Sequence, residues 1–163
     1  MKKILFLFAA LLVACGDVDI QEEDLKEEAI PVLNIDNALT ISGIHDSIPV
    51  GETVTVVGYM IGYVKSTNLK SATFDLPPDK ANTNVLLADA DTVRTGVNCF
   101  PVALEKGALR DSLNFYENPQ LLGRKMALKG KVESYFGTKG VKKILQMRWV
   151  DEVSEQNQQN IQP

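Results

Sequence analysis

Histidine and tryptophan occur once each in the 163 residues, cysteine twice, and aromatic residues amount to 7%. So thin an inventory argues against a disulfide scaffold, a zinc site or a histidine-dependent catalyst. A phosphate-cradling glycine loop, a paired-cysteine ligand set and a nucleophile elbow are missing too. No apolar run long enough to span a bilayer follows the N-terminus. What is present is a foldable composition, 45% hydrophobic and 23% charged, at the length of one domain with short appendages. The expectation is a non-enzymatic protein without metal or other cofactor.

The first residues read as an address. Lys2 and Lys3 precede an apolar run from Ile4 to Ala14, the pattern of a secretory signal rather than a membrane span. The run ends in Leu12-Val13-Ala14-Cys15-Gly16, which resembles a bacterial lipobox. That resemblance implies cleavage after residue 14, acylation of Cys15 and attachment to a membrane through lipid. Loss of Lys2 and Lys3 then takes the formal charge from -4 to -6. From Cys15 to Asp46 nine acids stand against Lys26 alone, so residues 15–48 read as an acidic tether and N-terminal extension. Within it Gln21-Glu22-Glu23-Asp24 resembles export signals of Bacteroidota lipoproteins. The resemblance implies an outer-membrane protein at the cell surface, with periplasm-facing attachment as the alternative. With Cys15 lipidated, Cys99 has no intramolecular partner, and its apolar surroundings make it a buried structural thiol.

Asp36 or Asn37 is suited to cap a short helix starting near Ala38. The turn Pro49-Val50-Gly51-Glu52 opens a domain expected over residues 49–153, followed by a disordered Gln/Asn-rich tail at 154–163. Residues 53–64 are β-branched and aromatic, a long strand whose parity slips at Val56-Val57-Gly58, which suggests a bend there. After a long loop at 65–83 come strands at 84–89 and 98–104. A helix over 108–117 places Leu109, Leu113 and Tyr116 on one face. Strands at 125–136 and 141–150 flank a glycine turn at 137–140. Five antiparallel strands with one short helix between the third and fourth describe an all-β, OB-like, partly open barrel; a two-sheet sandwich is the alternative.

The strands Gly58-Tyr59-Met60-Ile61-Gly62-Tyr63-Val64 and Asn84-Val85-Leu86-Leu87-Ala88-Asp89 resemble an uncharacterised OB-fold domain of Bacteroidota lipoproteins. So do Leu113-Asn114, Asn118-Pro119, Gly123-Arg124-Lys125 and the run from Gly130 through Tyr135-Phe136-Gly137 to Gly140. The similarity covers roughly Val50 to Val153. It implies the fold and the envelope setting and brings no activity.

His45, beside Asp46 in a polar turn, reads as a solvated surface residue. Asp75, Asp79, Asp89 and Asp91 read as turn chemistry rather than a cation loop. The basic side is richer: 11 bases against 6 acids between Val85 and Val150. If the last two strands pair, Lys125, Lys129 and Lys131 lie across from Lys142 and Arg148, with Tyr135 near the turn. This face is the expected ligand surface, although a lysine-rich face also keeps an exposed sheet soluble. The expected function is a lipid-anchored binding module for a partner protein or an oligosaccharide, engaged through the barrel face and the 65–83 loop. Single-stranded nucleic acid is the alternative, disfavoured by the net negative mature chain and its lipid anchor.

Overall fold

The computed structural model describes residues 32–77 and 83–150. The signal segment, Cys15 and the tail at 154–163 lie outside the described residues. Six strands are present among the described residues: β1 (Thr53–Val64), β2 (Ala72–Thr73), β3 (Asn84–Ala88), β4 (Phe100–Ala103), β5 (Lys125–Tyr135) and β6 (Thr138–Trp149). Two short helices, α1 (Ile41–Ser47) and α2 (Ala108–Leu113), precede β1 and β5 respectively.

β1 serves two partners in succession. Its first half alternates, with Val54 and Val56 buried, and pairs antiparallel with β5 from Thr53↔Lys131 to Tyr59↔Lys125. From Tyr59 onward it pairs with β3, and the register shifts between Met60 and Gly62. The strand therefore bends at Ile61, further along than the expected Val56–Gly58. Beyond the shift Met60 to Val64 are all buried, because another layer of chain covers the outer side. Gly62 is required there: a Cβ would overlap the Thr73 carbonyl oxygen of β2.

Pairing continues from β3 to β4, from β4 to β6, from β6 to β5, and from β5 back to β1, so one mixed sheet closes into a ring. The β4–β6 contact is parallel and rests on the single register pair Val102↔Val141. Gly140 permits this approach, since a Cβ would overlap the Pro101 carbonyl oxygen. The sixth strand, one more than expected, is the two-residue β2, which comes from the 65–83 connection and pairs with the end of β1. Inside the ring Phe100, Met60, Leu87, Leu128 and Phe115 form one core.

Helix α1 belongs to that core, with Ile41 and Ile44 fully buried. Thr40, rather than Asp36 or Asn37, is its N-cap; its Oγ1 accepts from Gly43 N–H at 3.1 Å. Just before it, Leu39 donates to Thr55 O and accepts from Val57 N–H, a parallel bridge to β1. Leu33 is buried as well. The folded unit thus reaches upstream of the expected boundary at residue 49, because the apolar side chains between the acids find the ring.

Helix α2 is shorter than its periodicity suggests. Asn114 leaves helical geometry, and its side chain bonds Arg110 O and Glu117 N–H, which ends the helix at Leu113. The i+7 register is then lost, so Tyr116 is 43% exposed and Phe115 is buried instead.

The β5–β6 turn is tighter than the expected 137–140. Phe136 (φ 51°) and Gly137 (φ 81°) are both left-handed, the two-residue geometry that suits hairpin twist. β6 carries two bulges against β5: one leaves Leu145 unpaired between Gln146 and Ile144, the other sets Lys142 and Lys143 against Lys131. Ile144 therefore joins Met147 and Trp149 against the core, and Leu145 is 51% exposed, which breaks the simple alternation of this strand.

Candidate functional site

The expected cationic residues divide into two groups. Lys129 and Lys131 alternate on β5 with the buried Leu128, Gly130 and Val132, which directs both to solvent. Across the hairpin, the bulge leaves both Lys142 and Lys143 exposed opposite Lys131. One carboxylate joins this group: Glu133 lies 3.6 Å from Lys142 Nζ. Lys129, Lys131 and Lys143 make no ion pair among the described residues. Lys143 was not in the expected set, because strict alternation sends neighbouring residues to opposite faces and only the bulge gathers both.

Lys125 and Arg148 are engaged locally. Lys125 Nζ sits 5.4 Å above the Tyr59 ring, and Arg148 Nη1 donates to Leu33 O at 3.2 Å. Tyr135 stands by the turn, its ring stacked on Phe136 at 4.1 Å. Burial raises its phenol pKa, an effect that the positive charge of Arg110 opposes.

The outer side of β3 is covered by the chain itself. β3 is buried along its whole length. On its outer side Leu86, Ala88 and Cys99 pack with Ile61 and Val64 beneath Leu69, Ala72, Phe74 and Val93. Asn84 ties this corner together, accepting from Val64 N–H at 2.7 Å and donating to Val64 O at 3.0 Å. Cys99 is fully buried, and burial pushes its thiol up to about 11. A thiol kept protonated is a packing group, not a nucleophile.

A cleft of about 550 Å³ opens between α1 and the β3–β4 connection. Ser42, His45 and Asp46 line it from α1, Asp89 from the end of β3, and Val97 and Asn98 from the turn before β4. His45 is half-buried rather than solvated. Its Nε2 lies 3.3 Å from Cys99 O, so that nitrogen is the donor, and its ring meets Phe100 edge-on. Asp89 accepts from Ile41 N–H at 2.6 Å and Ser42 N–H at 3.0 Å, anchoring the start of α1. Lys139 Nζ holds the other end through Ile44 O and His45 O. His45 and Asp89 thus share a cleft without bonding each other, and the geometry of a base with its orienting acid is not formed. Among the described residues no group of three or more His, Cys, Asp or Glu is placed to hold a metal ion.

A family model for a domain of unknown function, DUF6359, matches residues 39–150. The chain belongs to this family. The DUF6359 match starts at Leu39, which bridges to β1, and ends at Val150, whose N–H bonds Lys125 O. It therefore takes in α1 and the complete ring. Endonuclease YhcR of Bacillus subtilis (strain 168) is 33% identical over 97 residues, which is 60% of this chain and 8% of that protein. The chain thus corresponds to a small part of the curated relative it resembles.

Proposed function

We propose that this DUF6359 domain is a non-catalytic binding module with OB-like topology that holds single-stranded nucleic acid on the outer face of the β5–β6 hairpin. The proposal includes its attachment to the outer membrane, at the cell surface, through lipid on Cys15. One observation carries the ligand reading: a β-bulge sets Lys142 and Lys143 against Lys131, with Lys129 beside them and Glu133 as the one ion-paired acid of the group among the described residues. Several ammonium groups in one patch attract phosphates by releasing condensed counterions, whatever the net charge of the remaining chain. The OB-like reading draws support from the order β1-β3-β4-β6-β5-β1 with its one parallel contact. The name of the relative, an endonuclease, favours nucleic acid over the partner protein or oligosaccharide first expected.

The test uses the mature chain with Cys15→Ser and a labelled oligothymidylate, followed by fluorescence anisotropy against salt. Contact with about four phosphates gives a log–log salt slope of roughly -3. Lys131→Glu with Lys143→Glu is expected to weaken binding at least tenfold while the unfolding midpoint stays put. Absence of any salt-sensitive anisotropy change at low ionic strength would remove the nucleic-acid reading.

A further inference from the structure

From the cleft between α1 and the β3–β4 connection we infer a second binding site, separate from the lysine hairpin, for an uncharged, hydroxyl-rich ligand such as a sugar unit of a glycan. Its volume, about 550 Å³, falls in the range of small-molecule sites. The chemistry of its wall selects among ligands by exclusion. Among the described residues no lysine or arginine lines it, while Asp46 and Asp89 do, so anions are repelled. Metal cations lack a ligand set, since among the described residues no group of three or more His, Cys, Asp or Glu gathers there and the two oxygens of Asp89 already hold the N–H groups of Ile41 and Ser42. The lone pairs left on those oxygens suit the weaker demand of hydroxyl donors, for which a carboxylate accepts more than one bond.

The remaining polar groups point the same way. With Nε2–H given to Cys99 O, Nδ1 of His45 is the ring nitrogen left for a ligand. Asn98 and Ser42 are exposed and supply both donors and acceptors. Val97, 78% exposed at the rim, adds an aliphatic surface for the C–H side of a pyranose ring. Acceptors in excess, a neutral donor–acceptor pair and one apolar wall fit a polyol better than a nucleotide or a peptide carboxylate.

The experiment records amide chemical shifts of the ¹⁵N-labelled mature chain, with Cys15→Ser, during titration. The probes are glucose, galactose, N-acetylglucosamine and rhamnose, with spermidine and oligothymidylate for comparison. At least one sugar should shift the Ser42, Ala90 and Asn98 amides saturably. That response should fall at least fivefold in Asn98→Ala and Val97→Asp, and persist in the Lys131→Glu/Lys143→Glu variant. The spectra themselves report whether each variant is folded. Shifts that map elsewhere, a response to spermidine alone, or no saturable response to any of the four sugars would each overturn the site. Loss of oligothymidylate binding alone would count against the hairpin and leave this cleft standing.

Discussion

Replacing Asp89 with alanine probes how a seven-residue helix is kept in place. α1 is too short to persist alone, because nucleation costs more than so few hydrogen bonds return. Asp89, 48 residues away in sequence from Ile41, supplies two charge-assisted acceptors at 2.6 and 3.0 Å to the first turn. Losing an N-cap costs about 0.5–2 kcal/mol, and losing the carboxylate beside the positive helix end adds about 0.3–1 kcal/mol. Thr40 Oγ1 is committed to Gly43 N–H and does not substitute. Asp89→Ala is thus expected to cost about 2 kcal/mol, with Asp89→Asn losing roughly half as much because one oxygen remains. For a domain of this size that corresponds to a fall in melting temperature of about 10 °C. Urea unfolding with tryptophan fluorescence reads the difference, and an unchanged m-value shows that α1 stays packed through Ile41 and Ile44. A cost under about 0.5 kcal/mol would mean that α1 is held by apolar burial alone, and the capping argument would fail.

Cys99 offers a pH-dependent test. With its thiol raised from 9.0 to about 11, the thiolate fraction at pH 8 is about a hundredfold below that of an ordinary cysteine, so alkylation of the native domain should be slow and accelerate with pH up to about 11. The unfolded chain releases this proton at lower pH than the native one. Stability should therefore decline as pH rises from 9.0 through about 11, and Cys99→Ala should flatten that part of the profile; identical slopes would refute it. Asn84→Ala strands the Val64 N–H and C=O in a buried corner, and equilibrium unfolding should register a loss of about 3 kcal/mol. Gly62→Val forces a side chain into the Thr73 carbonyl, so β2 should detach; faster hydrogen exchange at Lys65, whose N–H bonds Ser71 O beside β2, is the readout, and unchanged protection would contradict the close approach.

Periodicity and turn chemistry carried much of this fold. β1 spans Thr53–Val64, as its β-branched run implies, and β3, β5 and α2 begin at the expected residues. Lys129 and Lys131 are legible for the same reason: alternation along a strand with one buried face is a local property. Lys143 was not legible. Its place beside Lys131 depends on a bulge that exists only because β6 is two residues longer than the stretch of β5 it must follow. Tyr116 failed in the opposite sense, since its helical spacing was sound but Asn114 ended the helix first.

The amino-acid order alone determined where β1, β3 and β5 start, which residues are apolar enough for a core, and that cations concentrate in the last two strands. Only the tertiary structure decided that α1 joins that core, that the outer side of β3 is covered, and that His45 and Asp89 meet in one cleft. Each of those outcomes rests on groups well separated in sequence: Asp89 with Ile41, Lys139 with Ile44, Leu69 and Phe74 over Leu86. Local pattern records the face a residue turns toward the core. Which distant segment then covers the other face is a matter of ring closure and register, and those are properties of pairs of strands rather than of any one of them.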